Sequence, residues 1–136
     1  STLVRSMGYS HLLLSPDAET RERAGRAGCR TRGLASARWP SDLAVDPRTA
    51  IALFFHDHDW EPPILRGALE TAAFYVGAQG SIQARNSRRS ALISMEMGED
   101  ALRRLRGPIG LVRSARDPRT LAVSVLSEIL AEAQRQ

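Results

Sequence analysis

One stretch constrains the fold of this chain more than any other. Ile51-Ala52-Leu53-Phe54-Phe55 runs through five apolar residues without a break, and four ionisable ones follow at once, His56-Asp57-His58-Asp59. An apolar run of this length suits a strand buried on both faces. Ligands of open α/β sheets bind outside the carboxyl ends of such strands. His56, Asp57 and His58 are therefore the first candidates for chemistry. Two later segments have the same form, Phe74-Tyr75-Val76-Gly77-Ala78-Gln79-Gly80-Ser81 and Gly107-Pro108-Ile109-Gly110-Leu111. Each is a short apolar piece that runs into glycine. Strands at Ile51–Phe55, Ala73–Val76 and Ile109–Leu111, lying side by side and parallel, would bring three carboxyl ends to one crevice.

The segments around them fit that arrangement. Ser1 to Met7 reads as the end of a helix closed by Gly8, and Tyr9 to Leu14 as a strand. Ser15-Pro16-Asp17 is a helix start for Ala18 to Ala27, which stops at Gly28, and Cys29 to Leu34 reads as a short strand. Ile64, Leu65, Ala68 and Leu69 share one helical face after Trp60-Glu61-Pro62-Pro63. Ser81 to Met97 is an amphipathic helix with Ala84, Ala91, Leu92 and Met95 on its apolar side. Glu99 to Leu105 is a shorter helix, ended by Gly107-Pro108. Asp117-Pro118 opens the last helix, whose expected buried stripe is Leu121, Ala122, Val125, Leu126, Ile129 and Ala133. The order α-β-α-β-β-α-β-α-β-α predicts an α/β fold, doubly wound with a mostly parallel, Rossmann-like sheet, as one domain over residues 1–136. A dinucleotide-binding domain of this kind opens on a central strand and a Gly-x-Gly-x-x-Gly turn. The chain lacks that first strand and glycine-rich turn. The missing strand would lie between Tyr9–Leu14 and Ile51–Phe55. Upstream residues, direct closure of the two flanking strands, or a second chain would each resolve the gap, and upstream residues are the expectation.

Composition narrows the function classes. All 19 basic residues are arginine, yet the net charge is only +4. The arginines are scattered rather than interleaved with aromatic residues on one element, which is not the pattern of a nucleic-acid interface. No apolar run approaches the ~20 residues that span a bilayer. Cys29, the single cysteine, excludes an internal disulfide and a multi-thiolate zinc site, so the cytoplasm is the expected compartment.

Taken together, the segments resemble the C-terminal Rossmann-like domain of the XdhC/CoxI family, the accessory factors of xanthine dehydrogenase and related molybdenum hydroxylases. The resemblance rests on Phe55-His56-Asp57-His58, on Tyr75-Val76-Gly77-Ala78-Gln79-Gly80-Ser81, on Pro108-Ile109-Gly110-Leu111, and on the helix from Asp117 to Ile129. It implies a cofactor-binding accessory protein, a chaperone rather than a catalyst. Such a protein would bind molybdenum cofactor (molybdopterin) and help mature or insert it into a xanthine dehydrogenase-like apo-enzyme, and it would pair as a homodimer. The resemblance places the cofactor contacts at His56, Asp57, His58, Gly77, Gly80, Ser81, Arg85, Pro108 and Gly110, with no catalytic residue and no protein-held metal. Ile82-Gln83 stands where the family has an arginine pair that would contact phosphate, a role that Arg85, Arg88 and Arg89 on the same helix would partly fill, and Val112-Arg113 stands where it has Asp-Ile. Asp17 is the one acid near the place of the ribose-binding carboxylate.

The residues themselves leave alternatives open. His56 and His58 would share one side of an extended segment, either facing a ligand or packing around an Asp57 that caps the next helix. Two nitrogens and an acid are an incomplete metal shell. Gly77, Gly80 and Ser81 either let backbone amides approach an anion or make a plain tight turn. Gly107 to Gly110 shapes a pocket wall or merely ends a helix. A nicotinamide-dependent oxidoreductase binding NAD(P) is the rival from the enzyme class, set against the missing Gly-x-Gly-x-x-Gly. A degenerate module that only binds partners is a third reading.

Overall fold

Residues 2–55 and 59–136 are described in a computed structural model of the chain, which folds as two units, 1–36 and 37–136. The first unit is a single strand–helix–strand turn of fold. A short helix α1 (Thr2–Ser6) ends near Gly8, whose φ of +79° is the left-handed conformation glycine supplies at a helix end. β1 (Leu13–Ser15) and β2 (Thr31–Gly33) then pair in parallel, Leu13 opposite Thr31 and Ser15 opposite Gly33, with α2 (Ala18–Arg26) as the crossover. The expected strand at Tyr9–Leu14 is thus shorter and ends one residue later. Asp17 caps α2, its carboxylate accepting from the Thr20 amide at 2.9 Å and from the Thr20 hydroxyl. These bonds hold the carboxyl below its ordinary 3.8. Arg21 ties the helix to its strand by donating Nη1 to the Ser15 carbonyl at 2.7 Å.

The second unit holds the organising stretch. Its strands are β3 (Ala50–Leu53), β4 (Tyr75–Ala78) and β5 (Leu105–Arg106), in the order β3-β4-β5 and all parallel. Its helices are α3 (Glu61–Leu69), α4 (Ile82–Ser94), α5 (Glu99–Arg104) and α6 (Pro118–Gln134). Parallel neighbours need crossovers. α3 supplies the first and α4 with α5 the second. β4 is the middle strand and is buried along its whole length.

Alternation along the strands sorts the two faces. Ala50 and Ala52 pack with Tyr75 against a cluster completed by Ile109 and Val125, with Leu121 and Ile129 of α6 at its margin. Val76, opposite Ile51, and Ala78, opposite Leu53, project to the other face. On α3, the expected apolar face of Ile64, Leu65, Ala68 and Leu69 is buried throughout. Arg104 closes the carboxyl end of that helix, donating Nη1 to the Leu69 carbonyl at 2.5 Å and Nη2 to those of Thr71 and Ala73 at 3.1 and 2.8 Å. A cation at a helix carboxyl end satisfies carbonyls that have no partner within the helix.

Three expectations need correction. The third strand of this sheet is Leu105–Arg106, not Ile109–Leu111. Ile109 is apolar because it fills the core between Tyr75 and Val125, whereas Leu111 is exposed. Phe54 and Phe55 lie beyond the end of β3, and Phe54 is exposed. On α6, Ala122 faces solvent, while Ser124 is buried because its hydroxyl accepts from the Val112 amide at 2.7 Å.

Candidate functional site

β3 and β4 end side by side, joined past their last pair by the Gln79 amide donating to the Leu53 carbonyl at 3.0 Å. The chain then turns through Gly80, at φ +147°, into α4. A side chain at Gly80 would be strained there, and its Cβ would come within 3.0 Å of Ala84 Cβ and 3.3 Å of Arg88 Nη2. Ser81 caps α4, its hydroxyl accepting from the Ala84 amide at 3.1 Å. At these strand ends lies a cavity of about 430 Å³, bordered by Phe55, Glu61, Gln79, Gly80, Ala84 and Arg88. The crevice is where open α/β sheets hold ligands, and its volume falls in the range of small-molecule sites, ~300–1,000 Å³.

Arg88 forms its inner wall. The residue is 5% exposed, and its Nε donates to Glu61 Oε1 at 2.5 Å while Nη2 donates to the Gln79 carbonyl at 2.8 Å. The pair fixes the first turn of α3 to the middle of α4, and it is tied to the backbone at the end of β4. Burying two opposite charges together is costly, and either one left alone would be more so. Glu61 is the site residue that sequence reasoning missed; Arg88, expected with Arg85 and Arg89 as a stand-in for the family's arginine pair, is buried against it. A signal of that burial existed: Arg88 lies four residues after Ala84 and four before Leu92, on the apolar side of α4.

The nine expected contacts separate into groups. His56, Asp57 and His58 lie outside the described residues; they follow Phe55 in sequence, and Phe55 borders the crevice. Gly80 borders it as well, and Ser81 caps the helix that starts there. Arg85 faces a second, smaller cavity of about 250 Å³, which shares Arg88 with the first.

Gly77, Pro108 and Gly110 are not brought to the crevice. A Cβ on Gly77 would meet Ile109 Cγ2 at 2.5 Å and the Tyr75 hydroxyl at 2.9 Å, so glycine there allows close packing. A Cβ on Gly110, at φ +108°, would fall 2.5 Å from Ser124 Oγ. Pro108 follows a cis peptide bond from Gly107 and is exposed. Gly110 joins a polar knot under α6 instead. Glu128 Oε2 accepts from the Tyr75 hydroxyl at 2.5 Å and from the Gly110 amide at 3.2 Å. Arg106 lies over the Tyr75 ring, 5.7 Å from its centre, and pairs with Glu132 at 2.6 Å. Burial first, and then the Glu128 carboxylate, drive the Tyr75 phenol far above its ordinary 10.0. This knot locks α6 to the sheet and leaves the phenol protonated.

Comparison with known proteins places this arrangement. The molybdenum cofactor insertion chaperone PaoD of Escherichia coli (strain K12) is 38% identical over 85 residues, which are 62% of this chain and 27% of that protein. The chain thus spans about a quarter of the length of that curated relative. A solved structure described as a xanthine dehydrogenase from Bacillus halodurans shares the fold, with a TM-score of 0.78 over 99% of this chain and 38% of that one, at 18% identity. The family described as the XdhC Rossmann domain matches residues 1–129, across both units, and the chain belongs to that family.

Proposed function

We propose that the chain binds molybdenum cofactor in the crevice at the carboxyl ends of β3 and β4 and takes part in inserting it into a xanthine dehydrogenase-like molybdenum hydroxylase. The observation that carries the reading is the crevice itself, built from Phe55, Gln79, Gly80 and the start of α4 in a member of the XdhC family. The name of the Escherichia coli relative supports the choice of cargo. The cargo is a flat pterin with a phosphate tail. Phe55 offers an aromatic wall to the ring, Gly80 leaves the backbone open, and the first amides of α4 suit an anion. His56, Asp57 and His58 are proposed contacts because they continue the chain from Phe55.

In this role the protein turns nothing over. It holds the cofactor, shields it from water and releases it to a partner. The two units together constitute the working domain, a homodimer is the proposed working form, and the cytoplasm its place. No helix among the described residues is long and apolar enough to cross a membrane.

The test is retention of cofactor by the purified chain. Molybdenum cofactor released anaerobically from a donor enzyme is mixed with the protein, the mixture is desalted, and the retained pterin is measured by fluorescence after oxidation. The parent chain is expected to retain it. Ala84→Leu, which fills the crevice from a helical position without backbone strain, is expected to lower retention about ten-fold, the equivalent of ~1.4 kcal/mol. Excess NAD should leave retention unchanged. Equal retention by Ala84→Leu, or displacement by NAD, contradicts the reading.

A further inference from the structure

The smaller cavity has a composition of its own. Of its seven lining residues, four are arginines, Arg85, Arg88, Arg89 and Arg103; the others are Leu102, Leu105 and Gly107. Its carboxylate complement is slight. Arg103 meets Asp100 at 3.5 Å and Glu99 at 3.9 Å, both pairs open to solvent. Among the described residues, Arg85 and Arg89 have no ion-pair partner. Glu61 is engaged with Arg88 Nε.

Arg88 supplies a second, independent observation. Its side chain is only 3% exposed, and two of its three nitrogens are satisfied. The third, Nη1, is buried and has no hydrogen-bond acceptor. It lies 3.2 Å from where a Cβ on Gly107 would stand, and Gly107 lines the same cavity. A buried guanidinium N–H without an acceptor is costly. The rest of the fork is pinned by Glu61 and Gln79, so Nη1 is a preoriented donor that cannot turn elsewhere.

We propose that this arginine cavity is a binding site for a phosphoryl group. It takes a tetrahedral oxyanion with about two negative charges, whose oxygens accept from Arg88 Nη1 inside and from Arg85 and Arg89 at the mouth. Arginine suits this role because its planar fork matches phosphate oxygens. The site shares only Arg88 with the larger crevice, and it would stand whatever that crevice holds. The phosphoryl group belongs either to free phosphate or to the phosphate end of a larger ligand reaching past Arg88.

The experiment titrates the full chain with inorganic phosphate, reading binding heat and the amide signals of Leu105 and Gly107 by NMR. One saturable site is expected, with both signals shifting. Arg85→Gln with Arg89→Gln removes two exposed charges without touching the buried pair, and is expected to weaken phosphate about ten-fold or more. Arg119→Gln, exposed on α6, should change nothing. Molybdenum cofactor is then added at saturating phosphate. Competition assigns the site to the phosphate end of the cofactor, and independent binding assigns it to free phosphate. Phosphate binding unchanged in the double variant, or no saturable binding at all, overturns the proposal. Cofactor retained without phosphate binding leaves the crevice reading intact, and phosphate bound without cofactor retention leaves this one.

Discussion

Gly77 and Gly110 sit where a methyl group has no room, while a methyl group on Gly25, inside α2, would meet open space beyond its own helix. The same change, glycine to alanine, should therefore have opposite signs. Gly77→Ala and Gly110→Ala are expected to destabilise the second unit by about 1–3 kcal/mol each through overpacking, with backbone strain added at Gly110. Urea unfolding followed by the fluorescence of Trp39 and Trp60 measures this, since both tryptophans belong to residues 37–136. Gly25→Ala should gain roughly 0.5–1 kcal/mol in the first unit, seen in the helical circular dichroism signal. Sequence alone marked Gly77 and Gly110 as special but not why. A glycine that admits a ligand and one that admits a neighbouring isoleucine look the same until Ile109 and Ser124 are in place. The arginines divide similarly. Arg88, Arg104 and Arg106 are bound into the fold, and Arg85 and Arg89 are left at a cavity mouth.

Helices and strands were legible to different degrees. Helices carry their signal in periodicity and caps, and α2, α3 and α4 begin where Asp17, the Trp60–Pro63 segment and Ser81 indicate. The cap on α2 makes a pH prediction. A lowered carboxyl means that its contribution is full above the ordinary 3.8 and is lost as pH falls through the lower folded value. The Thr20 amide, which donates to that carboxylate, should titrate in NMR with a midpoint below 3.8, and a midpoint at or above 3.8 would contradict the cap. Strands carry their signal in apolar runs, which located β3 and β4. β5 is hidden in the sequence because it is two residues long, contains Arg106, and has the stronger apolar run of Ile109 just downstream. That run is core packing rather than a ladder.

In the molecule as a whole, the second unit gathers a parallel sheet, a buried Arg88–Glu61 pair and a crevice at the strand ends, and the XdhC family match spans both units. Cofactor binding in that crevice predicts a definite footprint. Hydrogen–deuterium exchange of the chain with and without molybdenum cofactor should show protection concentrated at Phe55, Glu61 and in 79–85, which border the crevice or open α4. Residues 108–112 and α6, locked in the knot of Tyr75, Gly110 and Glu128, should exchange alike in both states. Protection confined to 108–134, with none in 79–85, would place the cofactor on the opposite face of the sheet and contradict the crevice assignment.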